Sequence, residues 1–322
     1  IVLKPSSVTP GSAKLLTFTF EEAGLPAGVL NLVFGQGSVV GPALAADLRV
    51  KAMSFTGSVE VARDLAVLGA QRGLKLQLLV CAKNTMVVCA DADLDRAIEA
   101  TVQGAFGSTG QRCTATARAL VEKPVFESFR RKLIEKVRAI KVGDGLADPT
   151  AMGPVVDEKQ YRSVLDAIER AKKEGATVLC GGEPVGPGDG SRGYFIAPTA
   201  MDNVKPEMAV AREEVFGPVL CLIAVDDFKH AIKVGNAVEF GLSSSIYTSD
   251  VQRVFQYAAE IETGILHINS PTVGGEAQAP FGGMKATGVG GREMGSTGPE
   301  FFCDIKTVYV DTNAVTRPGN LY

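Results

Sequence analysis

Residues Gly107-Ser108-Thr109-Gly110-Gln111-Arg112-Cys113-Thr114 place a thiol directly after a loop of glycines and small polar residues. An apolar run from Ala115 to Val121 follows. At such a loop-to-element junction, nearby backbone N–H groups can favour a thiolate, the nucleophilic form of cysteine. The same N–H groups suit the oxyanion that forms when sulfur attacks a carbonyl. Cys113 is therefore a candidate for covalent catalysis. Its plainer reading is a small buried hydrophobe, the commonest fate of a free cysteine. Other chemistry has few residues to work with. His230 and His267 are the chain's two imidazoles, which argues against a His/Cys metal site or a Ser-His-Asp triad. Asp91-Ala92-Asp93-Leu94-Asp95 starts like a calcium loop, but Arg96 stands where that loop needs glycine and Val102 where it needs glutamate.

The elements that must position this thiol alternate between strand and helix patterns. Ile1 to Lys4 read as a strand. Thr9-Pro10 offer an N-cap and a first-turn proline to a helix continuing through Leu15 to Ala23. Val29 to Phe34, Lys51 to Phe55, Leu74 to Val80 and Thr85 to Ala90 read as further strands. Helices over Ala43 to Leu48 and from Thr56-Gly57-Ser58 to Leu68 separate three of them. Asp93 caps a helix from Leu94 to Phe106 that leads into the Cys113 loop. Beyond it, Val125 to Ile140 and Val156 to Glu174 are amphipathic helices, and Gly181 to Gly193 is a Gly/Pro-rich loop. Val219 to Val225, Ser243 to Tyr247 and Ile265 to Ile268 are strands; Val251, Val254, Phe255 and Ala258 line one face of the helix between the last two. Phe301 and Phe302 pack beneath the glycine-rich run that ends at Arg292, and Lys306 to Asp311 form an alternating edge strand in need of a partner. This order gives an α/β fold with parallel strands and crossover helices, whose ligands belong at the carboxyl ends of the strands. Gly35-x-Gly37-x-x-x-Gly41 misses the dinucleotide fingerprint by one residue, whereas Phe55-Thr56-Gly57-Ser58 makes an N–H-lined anion site at a strand-to-helix turn. Lys4, at the end of the first strand, is within reach of a ribose or phosphate there.

Composition narrows the class. Of 322 residues, 46% are apolar and 21% charged, which fits a globular protein of one large or two ordinary domains. A net charge of −3 leaves no basic footprint for nucleic acid. No apolar run approaches the ~20 residues of a membrane helix, and no signal peptide is visible. Six scattered cysteines without a Cys-x-x-Cys pair suit reduced thiols in the cytoplasm. The start at Ile1, in what reads as a strand already under way, leads us to expect a fragment or a protein lacking an upstream half.

Motifs along nearly the whole chain resemble the aldehyde dehydrogenase superfamily in order and spacing. They are Lys4-Pro5-Ser6, Gly24-Leu25-Pro26-Ala27-Gly28-Val29, Phe55-Thr56-Gly57-Ser58, Asp91-Ala92-Asp93-Leu94-Asp95, Gly110-Gln111-Arg112-Cys113, Glu213-Glu214-Val215-Phe216-Gly217-Pro218 and Pro280-Phe281-Gly282-Gly283-Met284-Lys285. The resemblance implies a partial Rossmann-like NAD(P) domain at 1–81, an α/β catalytic domain at 82–303 and an oligomerisation tail at 304–322. It implies that Cys113 attacks an aldehyde and carries the thioester left after hydride transfer, with its backbone N–H holding the oxyanion. For the cofactor it implies Lys4, Gly37, Gly57, Ser58, Glu214 and Phe216. Ser7 stands where the family often has a glutamate on the NAD ribose, so NADP is expected to be tolerated as well as NAD. A homodimer or homotetramer is expected from the tail strand.

Three departures accompany the resemblance. Leu79 occupies the slot of the family's deacylating glutamate, and leucine cannot take a proton from water; Gln77 nearby cannot act as a base either. Cys81 and Ala82 replace two glycines that admit the nicotinamide. The second oxyanion donor of the family, an asparagine, precedes the Lys4 motif and so falls before Ile1. Little or no turnover is the resulting expectation. The rival readings are a dehydrogenase that passes its acyl group to coenzyme A, and an inactive relative that serves as a binding or structural protein.

Overall fold

The computed structural model describes residues 1–80, 82–147, 149–186 and 193–310. Cys81, part of the Gly181–Gly193 loop and the chain beyond Val310 lie outside these.

The first lobe runs β1 (Val2–Leu3), α1 (Pro10–Glu22), β2 (Asn31–Leu32), α2 (Gly37–Ala46), β3 (Ala52–Thr56), α3 (Val59–Arg72) and β4 (Lys75–Leu79). β1 pairs with β2 and β3 with β4, both parallel. Capping chemistry fixes α3: Ser58 accepts from the Val61 N–H at 3.4 Å, and Gly73 closes the helix in the left-handed region. Ala62 and Leu65 of that helix meet Ala45, Leu74, Leu78 and Val80 in a small core. By contrast α1 buries none of its residues, leaving Leu15, Leu16, Phe18 and Phe20 exposed.

The second lobe continues with β5 (Thr85–Val88), α4 (Leu94–Phe106), β6 (Arg118–Glu122), α5 (Lys123–Arg138), α6 (Glu158–Glu174), β7 (Thr177–Cys180), β8 (Thr199–Asp202), α7 (Ala209–Arg212), β9 (Val219–Val225), α8 (Phe228–Asn236), β10 (Phe240–Gly241), β11 (Ser243–Tyr247), α9 (Val251–Glu260), β12 (Ile265–Ile268), β13 (Met284–Lys285), β14 (Gly288–Val289) and α10 (Thr297–Phe301). Seven of its strands form one sheet in the order β12-β11-β5-β6-β9-β8-β7, parallel except at the β7–β8 edge. Alternate residues serve opposite faces, as the two-residue strand period dictates. Val87, Leu120, Cys221 and Ile223 point to one core with Val164 and Ile168 of α6, Ala231 of α8 and Tyr257 of α9. Met86, Val88, Val121 and Leu222 point to the other, with Ile98 and Phe106 of α4 and Phe129 and Leu133 of α5. Covering both faces explains why β9, near the middle of the sheet, is apolar throughout. β11 instead carries three buried serines, all satisfied: Ser243 and Ser245 donate to the Thr272 and Ser270 carbonyls, and Ser244 bonds Thr263. These bonds tie the 263–272 segment across the sheet.

The two lobes interlock, because β14 pairs antiparallel with β4, setting Gly288 opposite Leu79.

Several expectations need correction. Thr9 stands at the start of α1 but makes no side-chain cap bond. α2 begins at Gly37, six residues before Ala43, so Gly37 and Gly41 lie in a helix and only Gly35 in the turn before it. The inward face of α9 carries Val254 and Tyr257, whose hydroxyl donates to the Ser245 carbonyl at 3.2 Å; Val251 and Phe255 are exposed. Phe301 is buried but Phe302 is exposed against its edge. Residues 306–310 belong to no strand, and Ile305, Val308, Tyr309 and Val310 are exposed.

Candidate active site

After α4 the chain reverses through a 3-10 turn, Gly107–Gly110, in which Ser108, Thr109 and Gly110 are all left-handed (φ 52°, 59° and 65°). Two such non-glycine residues in succession are costly and persist only when their surroundings fix them. Arg112 Nε donates to Ser108 Oγ at 2.9 Å, and Thr109 Oγ1 to the Gly153 carbonyl at 3.1 Å. Gly110 lies so close to the next loop that an added Cβ would sit 2.2 Å from the Gly217 carbonyl oxygen. Only glycine fits there. The turn therefore locks the 107–114 segment against the 213–218 loop.

Cys113 follows in a turn that precedes β6. Asn84 holds that turn: its Nδ2 donates to the Cys113 and Ala115 carbonyls at 2.7 and 2.8 Å, while its Oδ1 accepts from Ser243 N–H at 3.0 Å. One buried amide thus joins the approaches to β5, β6 and β11. Thr272 Oγ1 donates to the Thr114 carbonyl at 2.7 Å and completes the clamp. Its immediate sequence, an amide between Lys83 and an apolar strand, does not announce this role.

The sulfur is half-buried. With Ile265 and Phe281 it packs on a buried trio of Leu79, Ala82 and Leu242. Burial, then the charge of Glu214, pushes the Cys113 thiol up; the N–H groups of Thr114 and Cys113 pull it down, and Glu293 adds a further push upward. The expected stabilisation of a thiolate by backbone N–H groups is thus present but outweighed. Desolvation and a nearby carboxylate win. Glu214 Oε1 accepts from the Ala82 N–H at 3.2 Å, and Ala82 belongs to the apolar group on which Cys113 packs. Its neighbour Glu213 turns away to pair with Arg170. Lys83 is buried, and desolvation lowers its pKa.

Leu79 ends β4, faces Thr56 in register, and is buried in the same apolar group as Cys113. Its carbonyl accepts from Gly57 N–H at 3.1 Å, which ties the β3–α3 turn to the β4 end.

The residues expected to hold a cofactor fall into three places. Lys4, Ser7 and Gly37 gather after β1 and β2: Lys4 Nζ donates to the Pro5 carbonyl at 2.5 Å, and Ser7 Oγ to the Gly35 carbonyl at 3.1 Å. A Cβ on Gly37 would lie 4.0 Å from Lys4 Cε. No side chain caps the first turn of α2, so its N–H groups and the Lys4 ammonium share a surface suited to an anion. Gly57 and Ser58 form the second place, at the carboxyl end of β3. Glu214, whose charge acts on the thiol, and Phe216, two residues on in the same loop, form the third. Phe216 is left-handed (φ 51°), and its carbonyl accepts from Gln160 Nε2 at 2.8 Å. These residues present an ammonium, hydroxyls and helix-start N–H groups in the first lobe and a carboxylate near the sulfur, chemistry that suits a dinucleotide.

The family model described as "Aldehyde dehydrogenase family" matches residues 1–308. The alpha-ketoglutaric semialdehyde dehydrogenase of Bacillus subtilis (strain 168) is 45% identical over 310 residues, covering 96% of this chain and 64% of that protein. The crystal structure of an NAD-dependent aldehyde dehydrogenase from Sinorhizobium meliloti superposes with a TM-score of 0.94 at 34% identity, over 98% of this chain and 62% of that one. An NADP-dependent enzyme from E. coli superposes with a TM-score of 0.90 at 38% identity, over 95% and 62%. The chain therefore spans less than two thirds of the length of each of these relatives.

Proposed function

Because the chain belongs to the aldehyde dehydrogenase family, we propose that it carries the acyl-forming centre of an aldehyde oxidation, with Cys113 as nucleophile. The Cys113 sulfur adds to the aldehyde carbon, and the N–H of Cys113 receives the developing oxyanion. NAD or NADP, when bound, supplies the acceptor for the hydride that leaves that carbon. Lys4, Ser7, Gly37, Gly57 and Ser58 hold the dinucleotide's adenosine and phosphate portions, and Glu214 and Phe216 its nicotinamide-side ribose. Ser7 carries no negative charge to repel a 2′-phosphate, so both dinucleotides are accepted. A semialdehyde is the proposed substrate class, on the strength of the relative at 45% identity. Residues 1–81 form the cofactor domain and 82–303 the catalytic domain. The tail from 304 pairs with another copy, which would cover its exposed apolar residues.

The observation that carries this reading is the sulfur of Cys113, half-buried against Leu79, Ala82 and Leu242 with Phe281 packed on the same group, and subject to the charge of Glu214. Leu79 makes release the weak step, since a general base contributes ~10²–10⁴-fold. The same leucine favours a second reading, in which coenzyme A rather than water takes the acyl group.

Mixing the protein with succinate semialdehyde and NAD or NADP tests both. The expected result is one rapid equivalent of reduced cofactor per sulfur, followed by a slow phase. Acceleration of the slow phase by coenzyme A would select the second reading. No reduced cofactor and no adduct on Cys113 would overturn both in favour of a non-catalytic relative.

A further inference from the structure

Glu293 is a carboxylate that the reading above does not use, and it lies beside the residue that most weakens that reading. Its backbone pairs with Phe281 in both directions, at 2.6 and 2.7 Å, so it is fixed across from a side chain that touches the Leu79 and Cys113 cluster. Its Oε1 accepts from Ser54 Oγ and Thr56 Oγ1, each at 3.4 Å. Thr56 is the register partner of Leu79, so the carboxylate sits over the ends of β3 and β4. Glu293, Leu79, Phe281 and Gln77 line one small cavity there. Two long hydroxyl bonds leave the carboxylate capacity to accept from water. Burial holds its pKa above the usual carboxylate range, and its charge reaches the Cys113 sulfur.

We propose that Glu293 is a catalytic residue that supplies the base position 79 lacks. The inference rests on Cys113 carrying an acyl group. A water oxygen bonds to the acyl carbon, and the Glu293 carboxylate takes the proton that water gives up. The carbon–sulfur bond then breaks, the electron pair leaves on Cys113 as thiolate, and the carboxylic acid departs. Glu293 returns its proton to solvent.

Acylation by p-nitrophenyl acetate isolates this step, because it loads Cys113 without cofactor. Nitrophenolate release reports acylation, and intact mass reports decay of the acetyl adduct. Glu293→Gln keeps both hydroxyl contacts; we expect its burst to persist while adduct decay slows at least ~10-fold. In the Leu79→Glu/Glu293→Gln double variant, decay recovers to the wild-type rate or faster. Equal decay in wild type and Glu293→Gln would overturn the proposal and leave Cys113 as nucleophile. Loss of burst and decay together would also overturn it, by assigning Glu293 a structural role. No acetyl on wild-type Cys113 would overturn the proposal and the reading beneath it.

Discussion

The two lobes meet the cleft from opposite ends of their strands. In the first, Lys4, Gly57 and Leu79 stand at or just past the carboxyl ends of β1, β3 and β4, the usual height for ligands in an open α/β sheet. In the second, Asn84, Cys113, Gly217 and Leu242 all precede their strands, β5, β6, β9 and β11. The proposed nucleophile is therefore placed by a different device. An amide clamp, a left-handed turn and a glycine contact hold it instead. The lobes also differ in depth: the second packs both faces of a seven-stranded sheet, while α1 in the first buries nothing. The sulfur thus sits on a deeply packed frame, whereas the loops proposed to hold the cofactor rise from a shallow one.

The largest effect that would sharpen this contrast is a core deletion. Leu120, fully buried on β6, should cost about 2–5 kcal/mol on truncation to alanine. Leu15→Ala on α1 should stay within about 0.5 kcal/mol, as a surface change does. Urea unfolding measures both, and equal costs would break the contrast. Next come the left-handed glycines. Gly24→Ala in the first lobe has open space around it and incurs only the conformational cost of about 1–2 kcal/mol. Gly110→Ala adds a backbone clash, so it should cost more and abolish the nitrophenyl acetate burst as well.

Capping gives a smaller difference. Asp93 accepts from Arg96 N–H at 3.2 Å, so Asp93→Ala should lower stability by about 1 kcal/mol. Thr9 makes no cap bond, and Thr9→Ala should change thermal unfolding by within about 0.5 kcal/mol. The smallest effect is electrostatic. The thiolate is the reactive species, and the Cys113 thiol is raised by burial and by Glu214, so its alkylation should titrate above the range of a free thiol. Glu214→Gln removes one of those pushes, moving the iodoacetamide profile to lower pH and raising the rate about two- to threefold at fixed pH below the midpoint.

Legibility in the sequence followed the same divide. Helix α4 and strands β9, β11 and β12 begin and end where their caps and apolar runs predict, because local signals and burial agree there. Helix α2 was hidden by Gly37 and Gly41, which mark turns more often than helices. On α9 periodicity chose the wrong face, since Tyr257 and Arg253 bury their stems while their polar ends find Ser245 and Glu122. The loop thiol could be picked out from its local motif, and Leu79 from the slot that the family resemblance assigns it. Asn84 and Glu293 could not: their partners lie up to 159 and 239 residues away, and nothing local announces such contacts.

The most direct test is a contest among the chain's own thiols. Cys303 is exposed, whereas Cys113 is half-buried with its thiol pKa raised, so accessibility and ionisation both favour Cys303, and the proposed oxyanion-binding N–H favours Cys113. After brief treatment with p-nitrophenyl acetate near neutral pH, peptide mapping should find the acetyl group on Cys113, with Cys113→Ala abolishing the burst. Labelling of Cys303 with Cys113 unmodified would contradict the account.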